Sequence, residues 1–452
     1  MHTNALSRRD AIRLAAALSL SAAVPATRAL AQTPALRPSE IRWDRIQPGT
    51  EVIIRDGEYD DLFVIMARGT PDAPITVRPE TPGGAVFGAS IVMHASINAV
   101  LDGMTVRNSE HSGVILQEGS ENVTVTNCEL VDCGLGIWIG NKSSDGHRLI
   151  GNRIIRSQTM GIAIDMINAR PDNPTLIERN YIEDSAYHGM ELHGNYYVVL
   201  HNEVHGSGAN LSGCSGIHTF CRKAEDPHGK HNVIAYNVAT GTTDLTGNDG
   251  NGIQADQWCN DNLIAFNLCQ DCDGAGINIY DAFRTTVFNN TLIGNMRDSG
   301  GSHAYRAELS LAADYTTRQE RPVDNRVYNN AIIATNPEAV AIYVEKTAGA
   351  EPQEFGNNLV HHAADGALFY WGPTDWRGTS PDEWNGLKFG APDIAEGPDL
   401  DAVSPLGKAS DTLALLSSVA HPALHADVLV EAKLITEAEA KQLVIGAAQP
   451  NG

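Results

Sequence analysis

The sequence predicts an all-β protein built as a solenoid of short strands. Its 452 residues include 42 glycines, and only 6% of the residues are aromatic. This composition favours many short strands and turns over packed helices. Two further observations support the prediction: a repeated unit that runs through most of the chain, and an alternation of apolar and polar residues after a recurring glycine.

Each repeat unit contains an apolar pair, an asparagine, another apolar residue, a turn and then the glycine. Two examples are "ENVTVTNCELVDCGLGIWIG" and "NDNLIAFNLCQDCDGAGINIYD". The asparagine falls at Asn127, Asn152, Asn180, Asn202, Asn237, Asn267, Asn290, Asn330 and Asn358. The gaps range from 22 to 40 residues, which indicates a rung of constant size carrying loops of variable length.

Over roughly residues 45 to 400, this pattern resembles the right-handed parallel β-helix of pectate lyases and many exported carbohydrate-active proteins. The resemblance implies an all-β, single-stranded right-handed parallel β-helix with three short strands per coil, stacked ~4.8 Å apart. We assign the β-helix to residues 32–400 and expect the asparagines to be buried and to stack from coil to coil. Residues 401–452 have helical spacing near their end, so we expect a partly helical C-terminal cap.

The first 31 residues predict an export signal and not part of the fold. Arg8 and Arg9 precede an apolar run, and "ALA" precedes Gln32. This arrangement resembles a twin-arginine signal cleaved after Ala31, and an ordinary secretory signal is the alternative. No other apolar run is long enough to span a bilayer. We therefore expect a periplasmic or secreted protein without a membrane span.

The net charge of the chain is −23 at pH 7. Removal of residues 1–31 lowers Lys+Arg from 32 to 28 and Asp+Glu from 55 to 54, which leaves −26. Such a charge opposes nucleic-acid binding, and it repels polyanions unless basic residues or a cation locally reverse the field.

The seven cysteines are an odd number, so at least one thiol is free or pairs between chains. Cys269 and Cys272 form an isolated C-x-x-C without a second pair at zinc-site spacing. The pattern favours structural thiols, or one or two disulfides, over metal binding or redox chemistry.

The recurring glycine falls at Gly113, Gly136, Gly161, Gly189, Gly216, Gly252 and Gly276. Counting forward from each of these glycines predicts two columns of outward-facing residues. Two residues beyond the glycine the column reads Ile115, Trp138, Ala163, Glu191, His218, Gln254 and Asn278. Four residues beyond it the column reads Gln117, Gly140, Asp165, His193, Phe220, Asp256 and Tyr280. A solvated strand face would carry few histidines, so the polar part of these columns predicts a ligand-binding or catalytic face.

The loop "CRKAEDPHGKH" leaves this face at its central rung. Arg222, Lys223 and Lys230 predict a basic rim that suits a carboxylate- or sulfate-bearing polysaccharide. Arg170 and Arg284 from neighbouring loops would extend this rim. Internal neutralisation by Glu225 and Asp226 is the alternative.

These residue types fit the chemistry of uronate polymers, in which a base removes the C5 proton while a cation neutralises the carboxylate. β-Elimination and C5-epimerisation share this first step. The candidate catalytic residues are His218 or His193 as base, Lys223 as an alternative base, Tyr280 as acid, and Glu191 and Asp256 beside them. The candidate substrate-binding residues are Arg222 or Lys230 as the neutralising cation, with Gln254, Trp258, Asn278 and Arg284.

No cofactor is required by this set, although calcium held by Asp165, Glu191 or Asp256 could neutralise the carboxylate. Asp226-Pro227-His228 is similar to a tripeptide of mannuronan C5-epimerases, and a simple proline turn is the alternative interpretation. Two other functions remain open: a glycoside hydrolase using Glu191 with Asp165 or Asp256, and a non-catalytic carbohydrate-binding solenoid.

Overall fold

The computed structural model of the protein describes residues 34–140, 142–298, 306–313, 324–350, 352–356 and 358–387. These residues form a parallel β-helix, as the repeat predicts. Each coil contributes one strand to each of three sheets, which contain 12, 12 and 13 strands in the described part of the chain. The strands are numbered β1 to β37 in chain order.

The first sheet comprises β1 (Glu51–Ile54), β4 (Ile75–Pro79), β7 (Ile97–Asp102), β10 (Glu121–Thr126), β13 (Arg148–Ile150), β16 (Thr175–Glu178), β19 (Tyr197–Leu200), β22 (Val233–Ala235), β25 (Leu263–Ala265), β28 (Thr286–Phe288), β31 (Asn325–Tyr328) and β34 (Gln353–Gly356).

The second sheet comprises β2 (Gly57–Tyr59), β5 (Ala85–Phe87), β8 (Thr105–Arg107), β11 (Glu129–Val131), β14 (Arg153–Ile155), β17 (Tyr181–Glu183), β20 (Glu203–His205), β23 (Val238–Thr240), β26 (Leu268–Gln270), β29 (Thr291–Ile293), β32 (Ala331–Ala334) and β35 (Leu359–His362).

The third sheet comprises β3 (Phe63–Ile65), β6 (Ile91–His94), β9 (Ser112–Gln117), β12 (Leu135–Ile139), β15 (Ile162–Asn168), β18 (Met190–Asn195), β21 (Ser215–Thr219), β24 (Asn251–Ala255), β27 (Ile277–Tyr280), β30 (Ala307–Ala312), β33 (Val340–Val344), β36 (Phe369–Trp371) and β37 (Trp376–Gly378). The last strand, β37, runs antiparallel to β36.

The helical segments are short. Four are single 3₁₀ turns at Pro38–Glu40, Trp43–Arg45, Ala348–Ala350 and Gly372–Thr374, and one is an α-helix, α1 (Pro381–Leu387). No helix in the described ranges has the length and apolar character needed to cross a membrane.

The core is a set of apolar ladders inside the solenoid. Ile137, Ile162, Met190 and Ile217 lie in register on successive coils of the third sheet, and all four are fully buried. Because side chains alternate along a strand, their neighbours in sequence point outward. Removal of these apolar side chains from water provides the main favourable contribution to the free energy of folding.

A buried asparagine ladder joins the coils at the turn between the first and second sheets. From Asn180 onward, each asparagine side-chain oxygen accepts two hydrogen bonds from the asparagine of the preceding coil, as Asn202 Oδ1 does from the backbone N–H and side-chain amide of Asn180 at 2.9 Å. The ladder comprises Asn152, Asn180, Asn202, Asn237, Asn267, Asn290, Asn330 and Asn358.

The first predicted position of this ladder is one residue off. Cys128, and not Asn127, occupies it, because the Cys128 N–H donates to Asn152 Oδ1 at 3.1 Å. Asn127 instead has a φ of 52° and donates to Asp102 at the surface. An asparagine that tolerates the left-handed region in a turn produces the same sequence pattern as a ladder asparagine.

The recurring glycine marks the close approach of adjacent coils where the third sheet begins. A Cβ atom on Gly136 would lie 2.2 Å from the carbonyl oxygen of Gly161 in the next coil. Any side chain would force the coils apart, so glycine is required there for packing.

The C-terminal end of the described solenoid is closed by aromatic residues. Trp384 on α1 is fully buried and stacks on Phe369 at 4.7 Å between ring centroids, with Phe355, Trp371 and Trp376 around it. The predicted signal at 1–31 and the predicted cap at 401–452 lie outside the described residues.

The cysteines are structural thiols. All seven are buried and free. Burial raises the pKa of Cys272 to about 11 and that of Cys269 well above its usual range, so the C-x-x-C pair is held in its inert protonated form.

We predict that Asn202→Ala destabilises the solenoid because it leaves the buried Asn180 N–H and the Ile177 carbonyl without partners. Each lost buried hydrogen bond costs ~1–3 kcal/mol, so the denaturant midpoint should fall clearly. Asn210→Ala, at an exposed loop position, is the matched control. Equal midpoints for the two variants would contradict a stabilising role of the ladder.

Candidate functional site

The outward column predicted two residues beyond each glycine is confirmed by the strand register of the third sheet. Successive strands pair Ile115, Trp138, Ala163, Glu191, His218, Gln254 and Asn278 in that order, and the column continues through Ser310, Tyr343 and Tyr370. The polar segment therefore forms one continuous line on the face of the third sheet.

The first group on this face consists of His188, Glu191, His218 and Asp256, which we call the His218 cluster. The two ring nitrogens of His218 face two carboxylates: Nε2 lies 3.3 Å from Asp256 Oδ2, and Nδ1 lies 4.0 Å from Glu191 Oε2. Glu191 Oε2 also lies 3.3 Å from His188 Nε2. The His188 and His218 rings stack with centroids 4.4 Å apart.

His218 is poised to carry a positive charge. Burial opposes protonation, but the hydrogen bond and charge of Asp256, with the charges of Glu191 and Asp249, outweigh it and raise the His218 pKa. His188 behaves oppositely, because burial and the neighbouring His218 hold its pKa well below the usual value. Burial also raises the pKa of Glu191.

The second group consists of His193, Asp226 and His228, which we call the Asp226 cluster. The loop after β21 folds back onto the third sheet and buries Asp226 and His228. Asp226 Oδ2 lies 2.9 Å from His193 Nε2, and Asp226 Oδ1 contacts His228 Nδ1. The prediction that the loop forms a solvated rim holds for Arg222, Lys223 and Glu225, which are exposed, and not for Asp226 and His228.

Asp226 sets the orientation of both imidazoles. Its carboxylate also accepts the backbone N–H groups of Arg222 at 3.2 Å and His228 at 3.1 Å. Burial opposes its charge, but the hydrogen bonds from His193 and His228 outweigh burial and hold the Asp226 pKa well below its usual value. An ionised Asp226 requires a proton on the ring nitrogen that each histidine turns toward it.

The two histidines consequently differ in what they can offer a substrate. With Nδ1–H donated to Asp226, His228 carries its lone pair on Nε2. His193 donates Nε2–H, and its lone pair lies on Nδ1, which is buried without a hydrogen-bond partner and 3.8 Å from Asp165 Oδ1. Burial lowers the pKa of His193 despite the nearby Asp226, so this ring favours the neutral form.

Phe220 connects the two clusters. Its ring stacks on His218 at 5.1 Å with an interplanar angle of 2° and on His193 at 4.5 Å with an angle of 26°. The His188, His218, Phe220 and His193 rings form a continuous stack, which holds the imidazole planes in position and excludes water between them.

Among the residues that the structure describes, two sets bring possible metal ligands within 4.8 Å of one another: His188 with Glu191 and His218, and His193 with Asp226 and His228. The hydrogen bonds do not suit a metal in the first set, because Ser215 N–H donates to His188 Nδ1 at 3.1 Å and leaves a proton on the Nε2 that would face the ion. In the second set the Asp226 oxygens are already occupied by four donors.

The three carboxylates predicted as calcium ligands do not converge. Asp165 lies 3.2 Å from the Arg222 guanidinium, and Glu191 and Asp256 lie on opposite ring nitrogens of His218. Within the described ranges they form no group of mutually close ligand atoms. Calcium prefers several convergent oxygens, so this arrangement does not fit it.

Three predicted substrate-binding residues, Gln254, Asn278 and Trp258, and the predicted acid Tyr280 lie elsewhere on the face. Gln254 and Asn278 are buried in the column and accept hydrogen bonds from Ser215 at 2.6 Å and Ser310 at 2.7 Å. Tyr280 is half-buried at the end of β27, and half-buried Trp258 has a φ of 56°.

The predicted basic rim is less extensive than the sequence indicates. Arg284 forms an ion pair with Asp261 at 2.8 Å, and Arg170 forms one with Asp145 at 3.2 Å. Lys230 is half-buried and its backbone bridges to Asn260. Of this set, Arg222 contacts the face through Asp165 at 3.2 Å, and Lys223 is exposed on the loop.

Sequence reasoning missed His188 as a member of the site. A signal was present, because His188 is the only titratable residue immediately before a recurring glycine. The other residues at that position are Ser112, Leu135, Met160, Ser215, Asn251 and Ala275. Asp249, which burial and the charge of Asp256 give a pKa of about 6, was also missed, because it lies outside both columns.

We predict that Asp256→Asn lowers the pKa of His218, because the variant removes its main stabilising charge while burial remains. The fall in the His218 pKa is measured by NMR titration of isotope-labelled histidines. Asp132→Asn is the matched control, since Asp132 pairs with Arg156 on the second sheet. An unchanged His218 titration in Asp256→Asn would show that the pair is not formed in solution.

Comparison with known proteins agrees with this architecture. The family model described as "Right handed beta helix region" matches residues 89–244 and 165–308. No curated protein sequence matches the chain.

Among solved structures, the A-modules of two mannuronan C-5 epimerases from Azotobacter vinelandii are similar. AlgE6 is 14% identical with a TM-score of 0.56, over 77% of this chain and 92% of that one. AlgE4 is 13% identical with a TM-score of 0.53, over 77% and 91%. At these identities the likeness establishes the fold, and this chain is a right-handed parallel β-helix protein.

Proposed function

We propose that the protein removes the C5 proton of a uronate unit in an anionic polysaccharide, as a polysaccharide lyase or a C5-epimerase. The observation that carries the proposal is the Asp226 carboxylate, which holds His193 and His228 in defined orientations beside the exposed Arg222. An oriented imidazole next to a guanidinium provides a base and a carboxylate-binding group in one place.

His228 is the base in this proposal. Asp226 keeps the proton on Nδ1, so Nε2 can accept the C5 proton, and the resulting imidazolium is stabilised by the same carboxylate. The bases predicted from the columns fit less well, because the Nδ1 atoms of His193 and His218 are both buried. These two residues support the site by position and by charge.

Neutralisation of the uronate carboxylate falls to Arg222. The Arg222 side chain is 55% exposed and lies 3.2 Å from the Asp165 carboxylate. The charge of His218, by contrast, is shared with Asp256 and Glu191. Removing the C5 proton places negative charge on the carboxylate group, and cations placed there in advance stabilise that charge.

The second half of the reaction separates the two activities. A lyase expels the oxygen at C4 and leaves an unsaturated sugar, whereas an epimerase returns a proton to the opposite face of C5. Tyr280 and Lys223 are the candidate acids for either route. Mannuronan is the first polymer to test, because Asp226-Pro227-His228 is similar to an epimerase tripeptide and the β-helices described above are mannuronan epimerases.

A glycoside hydrolase is the less favoured alternative. Hydrolysis requires one carboxylic acid and one carboxylate that both face the glycosidic bond. Glu191 and Asp256 are instead separated by His218, and Asp165 is engaged by Arg222.

We predict that His228→Ala and Asp226→Asn each lower turnover of a uronate polymer by ~10²–10⁴-fold, the usual contribution of an oriented acid–base group. Unsaturated product is followed by ultraviolet absorbance, and C5 exchange by NMR in deuterated water. His361→Ala, at a half-buried histidine on β35 of the second sheet, should leave activity unchanged.

The outcome that contradicts this assignment is also specific. New reducing ends without unsaturated product, formed equally by His228→Ala but lost in Glu191→Gln, would establish hydrolysis in place of C5 chemistry.

We also predict that Arg222→Ala raises KM for the polymer by about tenfold, equivalent to ~1.4 kcal/mol, and makes KM less dependent on salt. Arg222→Lys should recover part of the loss, because lysine keeps the charge without the paired donors. Arg297→Ala, which breaks an ion pair with Asp273 elsewhere on the surface, is the control. If Arg222→Ala and Arg297→Ala have the same KM as the native protein, Arg222 does not bind the substrate.

A further inference from the structure

Trp138 lies on the same outward column as the His218 cluster. Register pairs Trp138 with Ala163, Ala163 with Glu191, and Glu191 with His218. At ~4.8 Å per coil, the Trp138 position is ~10 Å from that of Glu191 and ~14 Å from that of His218. A polysaccharide that runs along the column through the His218 cluster therefore crosses Trp138.

The indole ring lies flat against the sheet. Three ring atoms of Trp138 would be 3.2–3.5 Å from a Cβ placed on Gly140, two residues further along β12. Because Gly140 has no side chain, the Trp138 ring can pack over the strand and does not have to project away from the sheet. One face of a half-buried aromatic ring is thereby turned away from the sheet.

The next position along the column is occupied by a small residue that is itself buried. Ala163, on the next coil toward Glu191, presents only a methyl group. No aromatic ring of a described residue stacks on Trp138. The surface between Trp138 and Glu191 is therefore low and flat, which suits the apolar face of a pyranose ring.

The other aromatic residues of the column are arranged differently. Tyr343 and Tyr370, on β33 and β36, stack on each other with centroids 4.6 Å apart and an interplanar angle of 9°. Each ring thus has one face covered by its neighbour and stands across the column. Of the three aromatic residues, Trp138 has the geometry of a platform for a sugar.

We propose that Trp138 is a sugar-stacking subsite that holds a unit of the polysaccharide two coil positions from Glu191. The inference rests on the proposed function for the identity of the sugar, an anionic uronan. Aromatic rings bind pyranoses through the carbon-bound hydrogens of one sugar face, which requires the flat and open presentation found here.

This subsite sets a requirement for chain length. A sugar bound at the His218 cluster cannot reach Trp138 unless the chain continues over the intervening ~10–14 Å. Short oligosaccharides should not sense Trp138, whereas longer ones should bind more tightly. The protein should therefore act more efficiently on long chains than on short ones.

The test is equilibrium binding of mannuronate oligosaccharides, from disaccharide to octasaccharide, to the His228→Ala protein and to the same protein with Trp138→Ala. We expect the octasaccharide to bind about tenfold more weakly without Trp138, and disaccharide binding to be equal. Trp138→Phe should restore most of the affinity, because it keeps an aromatic face. Tyr343→Ala, made in the His228→Ala protein, is the control. It should bind the octasaccharide with the same affinity as the His228→Ala protein alone.

The outcomes distinguish this inference from the proposed reaction. Length-dependent binding through Trp138, in a protein whose native form shows no C5 chemistry, would support the subsite and overturn the reaction. Activity that depends on His228, with octasaccharide affinity unaffected by Trp138→Ala, would overturn the subsite alone. Failure of every oligosaccharide to bind would overturn both. Equal denaturant midpoints for Trp138→Ala and Trp138→Phe exclude misfolding as the cause of weaker binding.

Discussion

The in-register stacking of successive coils is the constraint on which the rest of this structure depends. Parallel strands separated by one strand spacing place each side chain directly above the equivalent residue of the coil before it. The asparagine ladder reinforces this register, because each buried side chain satisfies backbone and side-chain donors of the preceding coil. A slip of one residue would turn the outward column into the core and bury its charges.

The site uses this register to hold charges that would otherwise repel or lose their solvation. His218 is buried, and its raised pKa is possible only because Glu191 comes from the coil before it and Asp256 from the coil after it. Asp226 repeats the principle from a loop, and its negative charge is stabilised by two imidazoles and two backbone N–H groups. The protein is strongly acidic overall, yet its central face presents oriented nitrogen groups.

The match between sequence and structure is close where the period is regular. Glycine followed by alternating residues places Glu191, His218 and Gln254 in one line, and the strand register has the same order. The agreement fails where a local feature imitates the repeat, as at Asn127, whose turn conformation resembles a ladder position. It also fails for loops, because nothing in "CRKAEDPHGKH" shows that Asp226 and His228 fold back onto His193 while Arg222 stays exposed.

The sequence by itself determined the class of fold, the order of the coils and the residues that share the outward face. These follow from a repeat that has one stable solution, the burial of apolar ladders between stacked strands. Only the tertiary structure decided which nitrogen of each histidine is available, how Phe220 joins the two clusters and that Trp138 lies flat over Gly140. Such features depend on contacts between side chains from different coils, and those contacts have no periodic signature along the chain.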